Sequence, residues 1–167
     1  MLNSFETEVN LRNNETEKSD TKQVIIVNKG LNMSTGKLAA QVAHASEAFL
    51  LKQFLIGTGD KHSKYDMLTK QLTGYVLQVP VDIDTFEWIT FSYTKVVLEV
   101  NSEAELEKVV NKAIKAGMKE DIDYFKIIDN GYTEFNNHKT WTCIGFKPMK
   151  SEDIDKVTKR LRLFRED

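Results

Sequence analysis

The chain reads as an α/β sandwich, a β-sheet with helices packed on both faces. Three observations predict it. "QVIIVN" (23–28) is a continuous apolar, β-branched run, the mark of a central strand buried on both sides. "TKVVLEV" (94–100) is a second firm strand. An amphipathic helix follows each of them, at 34–55 and 102–116, so parallel strands are joined by helical crossovers and the sheet needs cover on both faces. The full element order is β-α-(insert)-β-α-β-β-α.

Residues 1–22 are polar, acid-leaning and short of core residues. That is the composition of a disordered tail, although Leu2, Phe5 and Val9 also fit one face of a short docking helix. The α/β domain then occupies 23–167. Ser34 is a natural N-cap for the first helix, whose apolar side carries Leu38, Val42, Ala45 and Phe49. An insert at about 57–84 follows. Pro80 disfavours a central strand there, so the stretch reads as a helical turn near 64–72 and a short edge strand near 75–79. A turn or short helix follows near Phe86 and Trp88. Ser102 and Glu105 form a capping box on a helix with Leu106, Val109, Ala113 and Ile114 on its core side, and Gly117 closes it. "DYFKIID" and "TWTCIGF" are strands separated by "NGYTEFNNHK". The last helix starts at Ser151, with acids in its first turn, Lys159, Arg160 and Arg162 toward its end, and a core stripe of Ile154, Val157, Leu161 and Phe164.

Composition excludes several function classes. With 167 residues, 41% apolar and 29% charged, the chain has the make-up of one globular domain. A net charge of −2 gives no global positive field, so binding RNA requires a local basic patch. The one cysteine, Cys143, allows no intrachain disulfide and no Cys-rich zinc site, and its apolar strand setting favours a packed thiol over a nucleophile. His44, His62 and His138 lack ligand spacing, so no metal and no cofactor is expected. No apolar run is long enough to span a bilayer, and the N-terminus does not read as a signal peptide. The expected location is the cytoplasm.

The loop "GLNMSTGK" between the first strand and helix tests as a phosphate-binding P-loop and fails. Such a loop needs G-x-x-x-x-G-K followed by Ser or Thr, whose hydroxyl ligates Mg²⁺. Here five residues separate Gly30 from Gly36, and Leu38 follows Lys37. The helix nevertheless places Lys37, Gln41 and His44 on one face. That stripe is either the wet side of a half-buried helix or a site. Lys37 lies in the first turn, where free N–H groups and the dipole favour an anion, beyond the carboxyl end of a strand where ligands of open α/β sheets collect. A second candidate is Asp129, which ends an apolar strand beside Asn130-Gly131 and either shapes a turn or shares a mouth with Thr133 and Glu134. No G-x-S-x-G elbow, H-E-x-x-H or H-x-E with C-x-x-C is present.

"KQVIIVNKGLNMSTGKLAAQVAHAS", "KVVLEVNSEAELEKVVNKAIKAGM" and "IIDNGYTEF…TCIGFKP…IDKVTKRLRLF" closely resemble the archaeal/eukaryotic-type peptidyl-tRNA hydrolases, the Pth2 family. The match covers about residues 22–56 and 94–164 in order. The resemblance implies a three-layer α/β/α sandwich on a four-stranded mixed sheet, usually a homodimer without metal. The implied reaction is hydrolysis of the ester joining a peptide to the 3′-terminal ribose of tRNA. By position, Lys37, Asp129 and Thr133 are the implied catalytic residues, and Thr35, Gln41, His44 and Lys95 the implied substrate-binding ones. Asp129 then orients or deprotonates a water with Thr133 as relay, while Lys37 and the helix N-terminus stabilise the oxyanion. The chain departs from the family pattern before the second matching strand, where G-Q-x-K reads "FSYTK" and keeps only Lys95, and at three positions around the first loop. A lysine of the loop is Thr35 here, the arginine after the first strand is Asn28, and the acid two residues on is Gly30. These substitutions support the alternative reading, a catalytically silent module of the same fold that binds tRNA or a protein partner.

Overall fold

The computed structural model describes residues 19–55, 60–65 and 72–165. The chain runs β1 (Thr21–Asn28), a 3₁₀ turn (Lys29–Leu31), α1 (Thr35–Leu55), β2 (Asp60–Tyr65), β3 (Leu72–Gln78), α2 (Ile83–Glu87), a π-helical turn (Trp88–Ser92), β4 (Lys95–Val100) and α3 (Glu103–Lys115). It continues through β5 (Tyr124–Asp129), a second 3₁₀ turn (Phe135–Asn137), β6 (Thr140–Phe146), β7 (Met149–Lys150), α4 (Ser151–Thr158) and β8 (Arg162–Leu163).

The strand order of the main sheet is β5-β6-β1-β4-β8, with β7 also paired to β1. β1 and β4 are parallel, and every other pairing in this sheet is antiparallel. The four long strands are the expected ones, but two-residue β7 and β8 make the sheet six-stranded rather than four-stranded. Alternation along β1 explains how both of its faces are covered. Val24 and Ile26 join the cluster built with Leu106 and Val109 of α3 and Ile154 and Val157 of α4. Ile25 and Val27 point the other way, onto Leu38, Val42 and Ala45 of α1.

Close contact fixes α1 on the sheet. A Cβ on Gly145 of β6 would lie 2.1 Å from the Ala45 carbonyl oxygen, so only glycine lets the helix approach this far. Fully buried Gln23 of β1 ties the same helix down, because its amide donates to the Ser46 carbonyl at 2.8 Å and accepts from the Ser46 hydroxyl at 3.1 Å. The helix starts as its sequence dictates, with the Ser34 carbonyl accepting from Leu38 N–H and its hydroxyl from Lys37 N–H.

Several expectations shift. The first strand begins at Thr21, two residues into the expected tail, and residues 1–18 lie outside the described residues. Lys64 and Tyr65 belong to β2 and Leu72 to β3, which pair antiparallel in a separate two-stranded sheet, so these positions are extended rather than helical. The polar β2 sequence carries no strand periodicity to announce this pairing. Residues 66–71 of the expected helical turn lie outside the described residues. Ile114 is 55% exposed, and Val110 packs in the core in its place. The Glu105 carboxylate accepts from Asn101 N–H, one residue before the Ser102 cap. The last helix stops at Thr158. Beyond it the chain pairs with β4, which sends Leu161 and Phe164 to opposite faces of the sheet instead of along one stripe.

Candidate active site

Parallel β1 and β5 flank β6 and end on the same side of the sheet, beside the first turns of α1. There Lys37 Nζ donates to Asp129 Oδ2 at 2.8 Å, and Gln41 Nε2 donates to the same oxygen at 2.8 Å. Asp129 Oδ1 accepts from Gly131 N–H at 2.6 Å. Gly131 has φ +81, and a Cβ there would meet the His138 carbonyl oxygen at 2.4 Å, so the turn that holds Asp129 requires glycine. Asp129 therefore shapes its turn and at the same time binds Lys37 and Gln41. Behind it, Thr142 of β6 donates to Gln41 Oε1 at 2.6 Å.

The Lys37 and Asp129 side chains are each 11% exposed, so the pair is shielded yet reachable from solvent. The Lys37 ammonium holds the Asp129 carboxyl below its ordinary range. Burial opposes this, while the Gly131 N–H and the nearby His44 ring add to it. Asp129 is thus a fixed anion. Lys37 keeps donors beyond the one given to Asp129, and its ammonium lies 5.8 Å from the centre of the Phe135 ring.

The other expected residues fall at graded distances from this cluster. His44 is exposed and reaches Asp129 only through its field. Thr35 is exposed at the start of α1. Thr133 is exposed on the β5–β6 loop, and among the described residues no hydrogen bond joins it to Asp129. Glu134 occupies the helix mouth instead, its carboxylate receiving the Ser34 hydroxyl and N–H. Lys95 lies at the opposite end of the sheet, level with Gln23, with its ammonium 3.6 Å from the Tyr93 ring centre and 4.5 Å from that of Trp88. About six residues of strand rise, roughly 20 Å, separate it from Asp129.

Sequence reasoning missed three features. Thr142 gives no local signal, because its partner is 101 residues away. Phe135, Asn136 and Asn137 all have positive φ, an unusual run for which only the two asparagines were a cue. Lys108 and Lys112 of α3 meet Arg160 and Arg162 around a surface groove that also holds Glu99 and Glu105, the local basic patch that net charge conceals. The Cys143 thiol is fully buried and pushed up to about 12 by desolvation, which leaves it inert as a nucleophile. Among the described residues, no three His, Cys, Asp or Glu side chains converge to hold a metal, and no helix is long and apolar enough to cross a membrane.

Comparison with known proteins finds relatives over nearly the whole domain. The Methanopyrus kandleri protein named peptidyl-tRNA hydrolase is 35% identical over 86% of this chain and 98% of its own length. That of Methanocaldococcus jannaschii, of the same name, is 34% identical over 85% and 98%. A Dictyostelium discoideum protein named probable peptidyl-tRNA hydrolase 2 is 28% identical over 90% of this chain and 58% of its own. The family model described as "Peptidyl-tRNA hydrolase PTH2" matches residues 21–164, and on this footing the chain belongs to the PTH2 peptidyl-tRNA hydrolase family.

Proposed function

We propose that the protein hydrolyses the ester between a peptide and the 3′ ribose of tRNA, releasing peptide and free tRNA. The observation that carries this reading is the Lys37–Asp129–Gln41 cluster at the mouth of α1. Asp129, kept ionised, accepts a hydrogen bond from a water and aims it at the ester carbonyl. Its low pKa makes it a better aligner of water than a strong base, so the water gives up its proton as the tetrahedral centre forms, and a proton is delivered to the ribose 3′ oxygen as the C–O bond breaks. The remaining Lys37 donors stabilise the oxygen that gains charge, since Glu134 and Ser34 already occupy the helix mouth. No covalent nucleophile is needed, because an ester is sufficiently activated for a positioned water and a charge clamp. Thr133 on the β5–β6 loop relays protons in the substrate complex, Thr35 and His44 line the approach, and buried Gln41 holds Asp129 in place. Lys95 has no part in the ester chemistry, given its distance. The groove of Lys108, Lys112, Arg160 and Arg162 supports a path for the RNA backbone.

A second reading has a specific observation in its favour. Thr35 supplies no cation, and Lys37 and Asp129 already neutralise one another, as they would in a silent module that binds tRNA or a protein. Incubating purified protein with a model peptidyl-tRNA decides between them. Release of free tRNA supports the hydrolase, whereas tight binding without release supports the module. The homodimer proposed from the resemblance is checked by the solution mass from light scattering.

A further inference from the structure

The end of the sheet opposite Asp129 carries an apolar face that the hydrolase reading leaves unused. α2 runs directly into the π-helical turn, and together they turn Thr85 and Trp88 inward, where both are buried. The outward side presents Ile83, Phe86 and Ile89 at spacings of three, followed by Phe91 and Tyr93. These side chains are between 49% and 66% exposed, and exposed apolar surface gathered in this way marks an interaction site. The turn holds Tyr93 at φ +45, a left-handed conformation uncommon for a bulky residue. Its N–H donates to the Trp88 carbonyl at 2.7 Å, and its ring packs on that of Trp88 with centroids 4.5 Å apart. Backbone strain is thus retained at a position whose ring stays at the surface. The described chain enters the fold at the same place. The Ser92 hydroxyl of the π-helical turn donates to the Thr21 carbonyl at 2.7 Å, and the Thr21 hydroxyl lies 2.7 Å from that of Ser19.

We propose that residues 1–18 of the same chain cover this face, docking Leu2, Phe5 and Val9 on it. These three recur at spacings of three and four, which puts them on one side of a helix. Residues 10–18, nearly all polar, join that stripe to Ser19 and span up to about 30 Å when extended. The face from Ile83 to Tyr93 is only about 15 Å long at helical rise, so the stripe reaches any part of it. Three apolar side chains make a weak ligand by themselves. Joined to their site by a short linker, they act at an effective concentration in the millimolar range, well above that of a second copy in micromolar protein. That advantage, together with the entry of the chain beside Ser92, favours the chain's own segment as the occupant. The face lies at the far end of the sheet from Asp129, so a docked segment leaves the mouth of α1 open. The inference therefore does not rest on the hydrolase reading.

The test places a nitroxide on Thr7→Cys in the full chain and reads the isotope-labelled isoleucine methyl groups by NMR. Thr7 falls on the side of a helix away from Leu2, Phe5 and Val9, so the probe leaves the contact free. Cys143 is fully buried, with its thiol pushed up to about 12, and does not take the label. The Ile83 and Ile89 signals should lose most of their intensity, while that of Ile128, at the opposite end of the sheet, keeps its own. Phe5→Asp should restore both signals, and so should Phe91→Asp on the face itself, where exposure lets the protein stay folded. Undiminished Ile83 and Ile89 signals in the nitroxide-bearing chain overturn the proposal, as does a loss that survives either variant. A loss of equal size with the nitroxide and the isotope on separate chains assigns the face to a second copy and overturns it as well.

Discussion

Thr142 of β6 donates a 2.6 Å hydrogen bond to Gln41 Oε1, which compels the other end of that amide, Nε2, to point at Asp129. The orientation follows from chemistry. An ionised carboxylate only accepts, so Gln41 must offer it N–H and turn its oxygen toward a donor. Thr142→Val keeps the shape but removes that donor. We expect a loss of about 1–3 kcal/mol in stability, because Gln41 Oε1 is left buried without a partner. A folding free energy equal to wild type in denaturant titration would show that Thr142 does not hold Gln41.

The depressed pKa of Asp129 sets the sign of an acid-side effect. Its folded value lies below the ordinary 3.8, so its contribution to stability is fully present above that pH and is lost as pH falls through the lower folded value. Asp129→Asn removes this dependence. The stability gap between wild type and variant should therefore narrow as pH is lowered below about 3.8, measured by chemical denaturation at a series of pH values. A gap that widens on acidification would contradict the Lys37–Asp129 pairing.

Packing at Gly145 makes a separate prediction about the fold. Gly145→Ala forces a methyl group against the Ala45 backbone, which no rotamer change relieves. Overpacking of this kind costs about 1–3 kcal/mol, and more where only backbone can move. A midpoint unchanged in denaturant would mean that α1 does not sit this close to β6.

Much of this was legible in the sequence, for identifiable reasons. The strands at 23–28, 94–100, 123–129 and 140–146 carry dense apolar patterns, and their pairing emerges within two residues of each boundary. Lys37 and Gln41 were readable because helical spacing is local, and Asp129 because it closes a strand. Short β7 and β8 were not legible, since two-residue strands have no periodicity and form only because β1 and β4 are already there to pair with. The same holds for Thr142, whose partner Gln41 is distant in sequence.

Thr35 offers a test by gain rather than loss. Thr35→Lys places a cation at the exposed start of α1, beside the helix mouth. One added phosphate contact should tighten tRNA binding and steepen its log–log salt dependence by about 0.7 to 0.9. Filter-binding titrations over a salt series give both quantities. Unchanged affinity and slope would place the RNA backbone elsewhere.

The central claim is that Asp129, held by Lys37 and Gln41, aligns the water that cleaves an RNA-linked ester. Its most direct measurement is the rate of tRNA release from a model peptidyl-tRNA by wild type and by Asp129→Asn. Wild type should release tRNA, and the variant should do so about 10²–10⁴-fold more slowly while remaining folded by circular dichroism. Wild-type protein that releases none, or a folded variant that keeps the wild-type rate, would contradict the account.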